Sequence, residues 1–229
     1  MRLGRLAHDP ARIAAAPQHL FGATMPPNSI DRTALRFTPG LWGNDTIPDC
    51  TAAALANSAR LYSLANGGGD AVIADGTPQR FYAACIGQPD ATDAELAVSD
   101  GAVMLDVLDR ATADGFDAGQ QVPLVPGYGA VNIRDRYALA QSIVLGGAYW
   151  GVALALADQA DVVWDTKNGD QTPGSWGGHA LMAVDYTGLR DTDTVRLGTW
   201  GALREATWRW VAARLDEAYA LSWRQLAAR

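Results

Sequence analysis

The chain keeps its two periodicities apart: apart from one short stretch near its end, every segment that reads as a helix lies before about residue 145, and the segments that read as strands lie after it. Asp49 opens the clearest helix as an N-cap. Cys50 to Ala65 then runs through Ala and Leu with few breakers and closes on Gly67-Gly68-Gly69. Further helices are predicted from about Pro78 to Cys85, from Gly101 to Ala113 (ended by Asp114-Gly115) and from Asp135 to Leu145. The second has an apolar face of Ala102, Val103, Leu105, Val107 and Leu108. Loop chemistry rich in Pro and Gly fills the stretch through Gly129. A buried strand is expected over Ala148–Ala157. Strands at His179–Asp185 and Thr194–Trp200, with Gly188 near the middle of their connection, read as an antiparallel hairpin. A short helix at Arg204–Leu215 and a strand at Ala218–Trp223 end the chain. Helices first and strands second is the α+β pattern. No repeat or linker divides residues 25–229, which read as one domain. Residues 1–24 form an arm in which Arg2, Arg5, His8, Asp9 and Arg12 interleave with Leu and Ala, suited to a short docking helix.

Composition narrows the function classes. The chain has 229 residues, 48% hydrophobic and 19% charged, enough to bury a core without disulfides. The longest apolar stretch, Ile143 to Ala157, holds three glycines and falls short of the roughly 20 residues a spanning helix needs, so no membrane association is expected. The positive start leads into no uninterrupted apolar region, which points to cytoplasmic synthesis without a signal peptide. A net charge of −7 with no dense Lys/Arg run argues against nucleic acid as a partner. Phosphate-loop, Cys-x-x-Cys and His-Glu-x-x-His patterns are absent from the sequence, and no cofactor or metal is expected. Asp158, Asp161, Asp165 and Asp170 read as a solvated loop, with attraction of a cation as the alternative. The eight tryptophans, scattered from Trp42 to Trp223, read as core and hairpin packing.

Two positions carry chemistry. Cys50 stands at a helix amino terminus, where unpaired N–H groups and the helix dipole favour a thiolate, whereas Asp49 beside it works in the opposite direction. Taken alone, Cys50 also fits a small buried residue of an Ala-rich helix. His179, in Gly174-Ser175-Trp176-Gly177-Gly178-His179-Ala180, enters an apolar strand behind a glycine loop. A buried imidazole needs a partner or a task. The other two histidines lie in the arm, and Cys85 shows no such context.

The joint pattern resembles a papain-like cysteine peptidase. Asp49-Cys50-Thr51-Ala52-Ala53 matches the cysteine that opens that family's long helix, Gly178-His179-Ala180 its histidine strand, and Gly198-Thr199-Trp200-Gly201 its Asn-Ser-Trp-Gly segment. The 129-residue separation of Cys50 and His179 suits the family. Met25–Arg32 is similar to the opening of its mature chains, and Tyr137–Leu156 to the helix and strand before its histidine. The likeness spans roughly residues 25 to 201. Gly43-Asn44-Asp45 before Asp49-Cys50-Thr51, with Thr199-Trp200-Gly201 and the tail Trp208–Tyr219, looks most like a divergent branch encoded by tailed bacteriophages.

The resemblance implies a helical half carrying the cysteine helix, packed against an antiparallel β half carrying the histidine strand. It implies a thiol hydrolase of peptide or isopeptide bonds, acting on a peptide or protein substrate or among phage structural proteins, with the virion as a location. Cys50 would be the nucleophile and His179 its base and acid. Asn44, six residues before Cys50 where the family has glutamine, would serve the oxyanion hole, although Asn44-Asp45 also reads as a plain turn. The family's asparagine is missing. A hairpin centred on Gly188-Leu189 sets Gly198 opposite His179, and glycine orients nothing; a slip of one residue brings Thr199, whose hydroxyl can accept a weak hydrogen bond. Asp185 lies roughly 20 Å along the strand and cannot substitute, so a loop such as Asp165–Asp170 is the remaining source. A catalytically degenerate structural or docking protein of a phage particle is therefore the alternative function. A cell-wall peptidoglycan endopeptidase is a further one, suggested by Asp-Cys-Thr against the Asp-Cys-Ser of those enzymes.

Overall fold

The structure, a computed structural model, describes residues 1–19, 24–116, 124–167 and 169–225. Its elements run α1 (Pro10–Ala15), a 3-10 turn (Thr33–Leu35), α2 (Cys50–Ala65), α3 (Thr77–Cys85), α4 (Asp93–Leu96), α5 (Met104–Asp114), β1 (Leu124–Ala130), α6 (Arg136–Leu145), β2 (Ala148–Leu154), a 3-10 turn (Leu156–Gln159), β3 (Val163–Trp164), β4 (Gly177–Tyr186), β5 (Thr194–Thr199), β6 (Ala202–Thr207), α7 (Trp208–Arg214) and β7 (Leu215–Gln225). The strands form one sheet in the order β1-β7-β2-β4-β5-β6-β3, antiparallel throughout except where the two-residue β3 runs parallel to β6. The class is α+β, as expected.

Two apolar clusters follow the two halves. Leu55, Tyr82, Met104, Leu108 and Phe116 centre the helical one; Trp150, Trp164, Trp208, Trp210 and Leu197 centre the one over the sheet. The helical cluster is built on α2, which is apolar nearly all round: alanines let it lie close against β4 and β7, and its Cys50–Ala59 stretch is buried throughout. Four of the eight tryptophans thus sit in the second cluster, which agrees with core packing. Among the described residues, no helix is long and apolar enough to cross a membrane.

Several local expectations are corrected. The Pro/Gly stretch ending at Gly129 contains β1, an edge strand, where Pro126 is tolerated because an edge position need not donate to a ladder. The helix expected over Arg204–Leu215 is a strand, β6, followed by the shorter α7, which begins where the Thr207 hydroxyl caps the Trp210 N–H. The strand from Ala148 stops at Leu154 and turns into the 3-10 segment. The β4–β5 hairpin is not centred on Gly188-Leu189. A longer connection and a bulge between Ala183 and Asp185 shift the register, so Gly198 faces Met182 rather than His179. Half of the acidic stretch is not solvated: Asp158 is buried against Arg214 and Asp165 pairs with Arg209 and Lys167, whereas Asp170 is exposed as expected. Asp49 precedes α2 but makes no side-chain cap.

The arm does contain a short helix, α1, but its first residues do not dangle. Residues 2–6 thread between the two halves, and residues 17–19 run beside Ala130. The boundary expected near residue 24 adjoins residues 20–23, which lie outside the described residues.

Candidate active site

Cys50 begins α2 at the floor of the cleft between the halves. Its Sγ accepts the backbone N–H of Ala180, the residue after His179, at 3.4 Å and makes no hydrogen bond to the imidazole. The histidine lies on β4 opposite Val152 and is fully buried. Its Nε2 is 2.5 Å from the Thr199 hydroxyl, and its Nδ1 has no hydrogen-bond partner. A tautomer with the proton on Nε2 donates to Thr199 and leaves Nδ1 as a free base. Trp200 stacks on the imidazole with ring centres 4.0 Å apart and planes 16° apart. That placement uses a left-handed backbone at Trp200, φ +45°, a conformation a bulky residue rarely holds without surrounding constraint.

The structure thus brings Cys50, His179 and Thr199 to one place. Asn44 is close by, buried in the turn before α2. Its backbone N–H donates to the Leu41 carbonyl, its Nδ2 donates to Ile47 at 3.4 Å, and its carboxamide lies near enough to Asp49 to favour the anion there. Asp185, set aside at the sequence level, pairs with Arg196 well along β4. Cys85 is a free thiol in α3, and Cys50 is free as well.

Electrostatically the site is held neutral. Burial pushes the Cys50 thiol up to about 12, with Asp49 adding to the rise and the N–H groups of Ala180 and Gly4 opposing it. Burial also drives His179 down to about 3, helped by the nearby charge of Arg5. Asp49, buried and without a hydrogen bond of good geometry, is raised by burial to about 8, so near neutral pH its proton is largely retained and its repulsion of a thiolate is muted.

The arm lies against this site. The Arg2 N–H donates to the Asn44 carbonyl at 3.4 Å, and Trp200 Nε1 donates to the Arg2 carbonyl at 3.1 Å. Arg5 N–H donates to the Gly178 carbonyl at 3.3 Å, while Ala102 brackets Arg5 by donating to Gly4 at 2.8 Å and accepting from Leu6 at 3.0 Å. The fit is backbone to backbone and needs glycine on both sides. A Cβ on Gly4 would lie 1.8 Å from the Pro48 carbonyl oxygen, one on Gly101 2.1 Å from the Gly4 oxygen, and one on Gly178 2.3 Å from the Arg5 oxygen. Sequence reasoning missed residues 2–6 and their partners Ala102, Asp216 and Glu217. The doublet Gly177-Gly178 before His179 was the available signal: two glycines at the mouth of an apolar strand imply that another backbone comes close.

No family model and no curated protein sequence matches the chain. Solved structures do. Xylellain, a cysteine protease from Xylella fastidiosa, superposes with a TM-score of 0.70 at 13% identity over 96% of this chain and 94% of that one. Procathepsin L 3 of Tenebrio molitor larval midgut gives a TM-score of 0.65 at 12% identity, over 90% and 73%. A cysteine protease of Carica candamarcensis gives 0.60 at 14%, over 86% and 98%. The fold is therefore papain-like, with the cysteine helix in the helical half and the histidine strand in the sheet half, as the sequence motifs imply.

Proposed function

We propose that the chain is a thiol hydrolase of peptide or isopeptide bonds, held shut by its own residues 2–6. The observation that carries this reading is the convergence of Cys50, His179 and Thr199, with the thiol held by the amide next to the histidine. In the open site Cys50 passes its proton to His179 and attacks the substrate carbonyl carbon. The oxyanion is met by backbone N–H groups at the start of α2 with the Asn44 carboxamide. His179 then protonates the departing amine, leaving a thioester that water hydrolyses. Aligned unpaired N–H groups at that helix end are suited to such a developing charge. The likeness of Gly43–Thr51 and Thr199–Gly201 to the phage-encoded branch supports a location in or with a phage particle and a structural protein as substrate.

A degenerate docking protein is the competing reading, and the observation favouring it is that a threonine hydroxyl stands where the family keeps an asparagine carboxamide. Alkylation separates the two. Iodoacetamide pulses across pH, read by peptide mass spectrometry with Cys85 as internal control, are applied to the Gly4→Ala chain, in which the arm no longer fits. A hydrolase shows Cys50 reacting well below the ordinary thiol range of about 8.5 and losing that advantage with His179→Ala. A Cys50 that titrates like a simple thiol in the opened chain removes the hydrolase reading.

A further inference from the structure

Arg5 does more than fill space. Its guanidinium is buried, with Nη1 2.7 Å from Glu217 and Nη2 2.6 Å from Asp216 and 3.3 Å from the Val152 carbonyl. Glu217 is itself buried, and its second oxygen accepts the Tyr219 hydroxyl at 2.9 Å. Room for this carboxylate exists because residue 151 is glycine: a Cβ there would lie 2.5 Å from Glu217 Cγ. Burying an acid on an apolar strand is costly without a cation, and here the cation comes from a segment that is otherwise tied to the cleft through main-chain bonds. Two acceptors on neighbouring residues meet the two ends of a planar fork, a geometry that suits a guanidinium and that a single ammonium cannot reproduce.

We propose that the Asp216–Glu217 pocket is the specificity site of this cleft for an arginine side chain on an extended peptide, and that Arg5 is its resident mimic. The inference rests on the hydrolase reading only for the reaction that follows binding. Ala102 and Gly178 grip the main chain on either side of Arg5, so they can grip any extended segment, whereas the acidic pair selects the side chain between them. The arm is held in a register that presents the Gly4 N–H, not a carbonyl carbon, on the side of the Cys50 sulfur. It therefore occupies the pocket without being a substrate in this arrangement.

The test uses the full-length chain with Gly4→Ala to displace the arm and Cys50→Ala to stop turnover. The probe is a fluorescent acetyl-Leu-Gly-Arg-Leu-Ala-amide peptide, with citrulline and lysine versions, read by anisotropy. Arginine is expected to bind at least tenfold tighter than citrulline, and Glu217→Gln in the same background should erase the difference. Equal affinity for the three peptides, or no binding of any, overturns the proposal. An independent variant, full-length Arg5→Ala, empties the pocket directly; N-ethylguanidinium should raise its Tm where ethylammonium does not, and equal effects of the two overturn the proposal as well. Turnover by the Gly4→Ala chain with Cys50 retained separates the two readings. Hydrolysis without arginine preference removes the pocket and keeps the hydrolase. Arginine-selective binding without hydrolysis does the reverse.

Discussion

At the residue scale, the Thr199 hydroxyl meets His179 Nε2 at 2.5 Å while Nδ1 has no hydrogen-bond partner, so in the proposed hydrolase Thr199 holds the ring whichever of the two atoms donates. Thr199→Val should keep the fold, since the two side chains have nearly the same shape, while lowering kcat/KM about tenfold in a chain with the arm displaced, roughly the worth of one hydrogen bond. Thr199→Asn should recover most of that loss. Steady-state kinetics of both variants check the orienting role; a Thr199→Val chain as active as its parent argues against it. Asp49 gives a pH prediction with a definite sign. Its folded-state pKa is raised from the ordinary 3.9 or so to about 8, so the stability it allows is complete at low pH and is lost as pH climbs through that window. His179, lowered to about 3 from its usual 6.5, acts oppositely and destabilises on acidification. Tm of Asp49→Asn minus Tm of the parent should therefore grow from about pH 4 to pH 8, with the histidine contribution cancelling in the difference. The cysteine and the histidine were legible in the sequence because each has a local signature, a helix start and a glycine-led strand. The register of the β4–β5 hairpin was not, because a connection longer than a tight turn shifts the whole ladder and the bulge between Ala183 and Asp185 moves it by one residue more.

Elements of the sheet half are fixed by a buried polar knot that composition alone misreads. Asp158 accepts Trp210 Nε1 at 2.8 Å and Arg214 Nε at 3.0 Å and also caps Ala155 N–H at 2.7 Å, tying the 3-10 turn after β2 to α7. Trp164 donates to the Asp158 carbonyl and stacks on Trp210 at 4.7 Å. Removing one partner of a fully buried pair leaves the other charge uncompensated, so Asp158→Ala should destabilise by about 3–5 kcal/mol in urea unfolding. A replacement of both partners, Asp158→Leu with Arg214→Met, should recover much of that. A cost below about 1 kcal/mol for the single variant would show the knot to be incidental. Sequence reads Asp158 and Asp165 as solvated because their partners, Arg214 and Arg209, lie more than 40 positions away, and pairing over such distances leaves no local mark. The same holds for β1 and β6. Pro126, Gly127 and Gly129 favour a loop by local preference, and only the presence of β7 beside them makes an edge strand the better outcome. Helices α2, α3 and α6, whose start, face and stop are all local, fall within a residue or two of the expected bounds.

At the scale of the whole molecule, the arm joins both halves. Within five residues it bonds to Asn44 and Ala102 on the helical side and to Gly178, Trp200, Asp216 and Glu217 on the sheet side. Burial raises the thiol pKa and lowers that of the imidazole, which favours the neutral pair; in the proposed reading, letting water back at this site weakens both shifts, because burial is the largest cause of each. Gly4 is where this closure is most vulnerable, since its Cα faces the Pro48 carbonyl with no room for a methyl group and neither backbone can yield without moving α2. Gly4→Ala should therefore increase the alkylation rate of Cys50 at neutral pH at least tenfold, leave Cys85 unchanged, and lower Tm through the lost arm contacts, at about 2–4 °C for each kcal/mol in a chain of this length. Adding Arg5→Ala to Gly4→Ala should change the Cys50 rate little further, since an arm already displaced has no second closure to lose. A Cys50 rate that stays slow in the Gly4→Ala chain while Tm falls would mean that the arm braces the two halves without gating the thiol.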